Sequence, residues 1–104
     1  MFIHFKEIKY NNKSTWEGKR ILTFDIDWAS DDVISDVIDL LNQYNIKATF
    51  FVTHQTPVLS KIRSNKNFEL AIHPNFNPIL NLQGQKTVNQ TFDEILEIVP
   101  EAIV

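Results

Sequence analysis

The chain has 104 residues, 43% of them hydrophobic and 22% charged, and a formal net charge of −3 at pH 7. That length holds one domain with a real core, and the composition is that of a globular chain, neither disordered nor fibrous. The charge leaves no basic footprint for nucleic acid, and the absence of cysteine excludes disulfides and thiolate metal sites, leaving Asp, Glu, His and Asn as ligands.

No apolar run is long enough to span a bilayer. Met1-Phe2-Ile3-His4-Phe5-Lys6 lacks the charged start, apolar centre and cleavage site of a signal peptide. The expectation is a soluble cytoplasmic protein with no membrane partner.

Residues 1–19 give the weakest signal. Phe2 to Phe5 and Ile8 to Tyr10 suggest a short edge strand, closed by a polar turn at Asn11-Asn12-Lys13-Ser14. His4 reads as a surface or edge-strand residue. Ile21-Leu22-Thr23-Phe24-Asp25-Ile26-Asp27-Trp28 follows, an apolar run of strand length that predicts a parallel strand covered on both faces. Asp25 and Asp27 interrupt it at its C-terminal end. Strand side chains alternate, so residues two apart share a face and both carboxylates can enter one site. There they could share a cation or divide acid and base duties; the plainer reading is capping of the next helix.

Ser30 predicts an N-cap for a helix over about 31–44, with Asp31 and Asp32 in its first turn. Val33, Ile34, Val37, Ile38, Leu40, Leu41 and Tyr44 fall at helical spacing, and the Asp31/Asp32/Asp36/Asp39 series reads as a solvated face. Asn45 suits a left-handed C-cap. Ala48 to Val52 reads as a second buried strand ending in Thr53-His54, and Thr56-Pro57 opens a short helix with Pro at its first position. Phe68 to Ile72 is a third strand ending at His73, followed by a proline-rich loop to about Lys86. A last helix begins at a capping box, Thr87 with Gln90 or Thr91 with Glu94, and Pro100 stops it. Glu101 to Val104 resembles the start of a fourth strand.

Alternating strands and helices imply a parallel α/β sheet, whose sites lie at the C-terminal strand ends. Three successive strand ends deliver Asp25 and Asp27, His54, and His73 to one edge. Imidazole and carboxylate without thiolate suit zinc and its neighbours, so Asp27 and His73 make a candidate divalent metal site. The plainer reading of His73 is a strand-end histidine bonded to the Asn-rich loop. His54 offers position alone, and Trp28 could stack on a sugar ring or simply pack the mouth of the sheet.

Thr23-Phe24-Asp25-Ile26-Asp27, Ala48 to Val52, and Glu69-Leu70-Ala71-Ile72-His73 with Asn77 four residues on resemble the NodB-homology polysaccharide deacetylases, the fourth carbohydrate esterase family. Phe-Asp-Ile-Asp-Trp-Ala and Ile-His-Pro-Asn-Phe-Asn-Pro look most like its WbmS-like branch, associated with surface-polysaccharide (O-antigen) gene clusters. The resemblance spans about residues 20–104. It implies an α/β fold, the N-terminal portion of a (β/α) barrel of about three to four βα units, and hydrolysis of acetyl groups on carbohydrate with one divalent metal. Zinc is expected, with cobalt, nickel or manganese as alternatives.

By the resemblance, Asp25 is the general base, and Asp27 and His73 are metal ligands. Asn77 stands where the family places a second histidine, a weaker ligand, and Trp28 and His54 are candidate substrate contacts. A closed barrel needs roughly 200 residues, so the chain is expected to be a fragment or truncated reading frame, with low activity and self-association through its open sheet edge. Two alternatives are a non-catalytic metal-binding or interaction remnant, and a haloacid-dehalogenase-type phosphohydrolase with Asp25 as nucleophile. The second lacks the small residue pair that usually follows Asp-x-Asp, since Trp28-Ala29 stands there.

Overall fold

A computed structural model describes residues 1–76 and 87–102. In chain order it contains β1 (Phe2–Ile3), β2 (Arg20–Ile21), β3 (Thr23–Asp25), α1 (Asp31–Gln43), β4 (Ala48–Val52), α2 (Leu59–Arg63), β5 (Phe68–Ile72) and α3 (Val88–Ile98). Single turns of 3-10 helix occur at Phe5–Glu7 and Lys13–Thr15.

All strand pairings are parallel. β3, β4 and β5 form one open sheet in that order, and β1 pairs with β2. The register aligns Asp25 with Phe51, and Phe51 with Ala71. Alternation then gives the sheet two different faces. Phe24, Phe50, Val52, Phe68 and Leu70 turn toward the helices, joining Ile34, Ile38 and Leu41 of α1, Leu59 and Ile62 of α2, and Ile95 of α3 in one core. Phe24 stacks on Phe50, and Phe68 meets Phe50 edge-on, each with ring centroids 5.3 Å apart. The other face carries Thr49, Phe51, Glu69 and Ala71. The 3-10 turn after β1 covers part of it, Phe5 meeting Phe51 edge-on at 6.2 Å. Beside them opens a cavity of about 510 Å³ lined by Phe5, Ile8, Phe51, Ala71, Pro74 and Phe92.

Helix and turn chemistry follows the sequence closely. The Ser30 hydroxyl accepts from Val33 N–H, and Asn45 adopts a φ of 52° after the helix. The capping box at the last helix is Thr87 with Gln90, each side chain accepting the other's backbone N–H. β4 and β5 have the predicted bounds. No helix among the described residues is long and apolar enough to cross a membrane.

Several expectations are corrected. The strand predicted from Ile21 is split and not covered on both faces: Ile21 pairs with β1 as part of β2, and β3 is an edge strand among the described residues, with Thr23 and Asp25 exposed on the face away from the helices. The apolar stripe of α1 is narrower than its sequence, since Val33, Leu40 and Tyr44 are exposed while Ile34, Ile38 and Leu41 carry the packing. The second helix begins at Leu59, two residues after Pro57; the Thr56 hydroxyl accepts from Val58 N–H and donates to the Asp31 carboxylate. Asp31 therefore ties α1 to the α2 entry, and is more than a solvated charge. Finally, His4 is buried, 6% exposed, and bonded rather than at the surface. The expected fourth strand falls partly on residues 103–104, outside the described residues; Glu101 and Ala102 are not in a strand.

Candidate metal and catalytic site

β4 is the central strand, and its C-terminal end serves as the template of the site. On one side Ile26 N–H donates to the Phe51 carbonyl (3.0 Å), and on the other His73 N–H donates to the Val52 carbonyl (2.8 Å). Continuing the register from Asp25–Phe51 and Val52–Ile72 puts Asp27, Thr53 and His73 level across three strand ends.

Asp27 leaves the strand in a tight turn, with Ala29 N–H returning to the Ile26 carbonyl (3.0 Å) and Asp27 itself at a φ of 48°. Ile26, almost wholly buried, anchors this turn in the core. A non-glycine residue in the left-handed region costs about 1 kcal/mol, least for Asp and Asn, and persists where surrounding structure holds it. Here Thr53 supplies the hold: its hydroxyl donates to the Asp27 carbonyl.

The turn aims Asp27 at His73, with Oδ1 and Nε2 3.8 Å apart. Their side chains are 57% and 44% exposed, and at that exposure an ion pair contributes only about 0–1 kcal/mol. Fold stability gives little reason for the pairing. The geometry does suit a metal, since two ligands about 2.1 Å from a tetrahedral zinc stand about 3.4 Å apart. Among the described residues they form a pair: no group of three His, Asp or Glu converges on one point. Asn77, the expected weak ligand, lies outside the described residues.

The remaining candidates lie along the same end of the sheet. Asp25 is exposed at the last residue of β3, two residues before Asp27. Trp28 is 67% exposed and adjoins Asp27, which keeps its ring available to a ligand. His54 is half-buried, with Nδ1 2.8 Å from the Thr53 hydroxyl. Thr53 was missed in the sequence, where nothing distinguishes it until the register is known.

Carboxylates and an imidazole at the C-terminal edge of a parallel sheet place the chain in the class of α/β proteins that carry their sites at the strand ends. Comparison with known proteins narrows the class. The sequence model of the WbmS-like family, described as "Polysaccharide deacetylase", matches residues 22–104, and the chain belongs to that family. Among solved structures it is similar to a Bordetella bronchiseptica polysaccharide deacetylase involved in O-antigen biosynthesis, WbmS, with 44% identity and a TM-score of 0.92. The match covers 98% of this chain and 42% of that one, so the chain spans less than half of its relative's length. No curated protein matches. Membership of this family does not favour the phosphohydrolase alternative.

Proposed function

We propose that this chain carries the metal-binding and base half of a carbohydrate deacetylase site acting on acetylated surface-polysaccharide sugars in the cytoplasm. The observation that carries this reading is the exposed Asp27–His73 pair, 3.8 Å apart, with Asp25 at the end of the strand that leads into Asp27. Membership of the polysaccharide deacetylase family and the similarity to a protein of O-antigen biosynthesis supply the substrate class.

Asp27 and His73 would hold a divalent ion, zinc by the chemistry of an imidazole–carboxylate set, with Asn77 as a further weak donor. When bound, such an ion supplies Lewis acidity, lowering the pKa of water and offsetting charge on a carbonyl oxygen. The chain's own residues do the rest. Asp25 acts as general base, its carboxylate taking the proton of the attacking water. Trp28 offers an apolar ring face against which a sugar can stack, and His54 stands near the same edge. Hydrolysis releases acetate and leaves a free amine or hydroxyl on the sugar.

The fold fits the N-terminal portion of a (β/α) barrel. One sheet face is sealed by helices, while the other is lined by Phe51 and Ala71 and left facing a cavity. A non-catalytic metal-binding role is the second reading, favoured because no third His, Asp or Glu joins the pair among the described residues. Acetate release from an N- or O-acetylated sugar in the presence of zinc, abolished in Asp25→Asn, tests the enzyme reading. Metal binding without acetate release supports the second.

A further inference from the structure

We propose that Thr53 is a positioning residue for Asp27 and that His54 orients it, the two forming a hydrogen-bonded strut behind the metal pair. The inference rests on the metal reading above and assigns a role that reading lacks.

The argument starts from donors and acceptors. A carbonyl oxygen only accepts, so in the contact between Thr53 Oγ1 and the Asp27 carbonyl the hydroxyl is the donor. A hydroxyl has one proton, and it is now committed. The second contact of the same oxygen, His54 Nδ1 at 2.8 Å, must therefore run the other way, with Nδ1–H donating to Oγ1. The result is a directed chain from imidazole to hydroxyl to carbonyl, which fixes His54 as a species protonated on Nδ1.

The strut acts where the backbone needs it. Asp27 has already left the β ladder, and its φ of 48° is one that L-residues adopt only when held. The φ of Asp27 sets the direction of its Cα–Cβ bond relative to β3, so the 3.8 Å separation from His73 depends on what holds the residue in this turn. Ile26 N–H and Ala29 N–H hold the residues on either side, while the Asp27 carbonyl itself is held by Thr53. Thr53 also follows Val52, whose carbonyl holds His73 N–H. One short stretch of β4 and its extension thus sets both halves of the pair. This explains why a histidine at a strand end, expected as a substrate contact, turns its Nδ1 toward its neighbour's hydroxyl.

The test compares Thr53→Val, Thr53→Ala, Thr53→Ser and His54→Ala with the wild-type chain in zinc and cobalt(II) titrations. The visible spectrum of bound cobalt and the Asp27 Cα and Cβ NMR shifts of the metal-free protein are further readouts. Outer partners of metal ligands are typically worth about 10–100-fold in affinity, and that loss is expected for Thr53→Val and Thr53→Ala. Thr53→Ser keeps the hydroxyl and is expected to restore wild-type affinity, cobalt spectrum and Asp27 shifts. His54→Ala should show a smaller loss in the same direction. If the wild type binds cobalt and both hydroxyl-deleting variants bind it equally well with unchanged Asp27 shifts, the strut has no positioning role. A serine variant as weak as the valine one also overturns the proposal. If the wild type binds no metal, the metal reading fails, while the NMR comparison of Thr53→Ala with Thr53→Ser still decides whether the hydroxyl holds Asp27.

Discussion

Near the N-terminal ends of β4 and β5 the buried polar side chains His4 and Thr49 are held by partners, whereas at the C-terminal ends polar groups stand exposed beside one another. Thr49 is fully buried; its hydroxyl accepts from Phe5 N–H (3.3 Å) and donates to Glu69 (3.1 Å). His4 Nε2 donates to the Asn67 carbonyl (2.8 Å), and Glu7 accepts from His4 N–H (2.6 Å). No buried side-chain nitrogen or oxygen among the described residues lacks a partner. Asp27 and His73, by contrast, face one another half in solvent. The same residue types, histidine and carboxylate, serve structure at one end of the sheet and, in the proposed function, ligand chemistry at the other. Satisfaction and burial separate the two uses, since a satisfied buried network stabilises while an exposed pair is left free to bind.

The largest expected effect breaks the two ends apart. Asp27→Ala should weaken zinc binding by about a hundredfold or more, while shifting stability by under about 1 kcal/mol. His4→Ala should do the reverse. Removing a buried, bonded imidazole costs about 2 kcal/mol in a urea melt, with zinc affinity unchanged. A His4 variant that lost zinc affinity while still folded would show that the two ends are coupled.

The next effect concerns the open sheet. β5 has no strand on its outer edge among the described residues, and the cavity beside it is lined by Phe5, Phe51, Ala71 and Phe92. Unpaired edges and apolar surface favour association. Sedimentation velocity should therefore show dimers or larger species that grow with concentration, through pairing with a second copy; a monomer over a wide range contradicts this.

The smallest effect is acid sensitivity at the N-terminal end and at the α2–α3 corner. The His4 N–H bond to Glu7 holds that carboxyl below its ordinary value of 4.5, assisted by Lys47 and opposed by burial. Burial pushes the Glu101 carboxyl up, but the Arg63 guanidinium at 2.6 Å and a backbone hydrogen bond together draw it below its ordinary value. A lowered folded-state value means that the stabilisation is present above the ordinary value and is lost as pH falls through the lowered one. Melting temperature should drop slightly on acidification below about pH 4.5, and Glu7→Gln with Glu101→Gln should flatten that slope. The effect is small because these side chains are 41% and 44% exposed.

Much of this architecture was legible in the sequence because it is set by local chemistry. Ser30, Asn45 and Thr87 with Gln90 mark helix ends through bonds made within a few residues. β4 and β5 declared themselves by length and apolar content. Features set by distant neighbours were not legible. The run from Ile21 reads like β4, and only the sheet order makes it an edge. His4 is buried through a partner 63 residues away, and Asp31 is bonded to Thr56 across a helix junction. For the site, Asp27 and His73 were placed at one edge by strand logic, and the structure brings them together. Thr53 stayed hidden because its role depends on register and on the left-handed turn at Asp27, which no glycine announces.

Isothermal titration of zinc into the wild type, Asp27→Ala and His73→Ala addresses the central claim most directly. Binding of one ion per chain in the wild type, with both variants losing it, is the predicted result. Undetectable binding in the wild type, or binding that survives both substitutions unchanged, would contradict the assignment of this pair as a metal site.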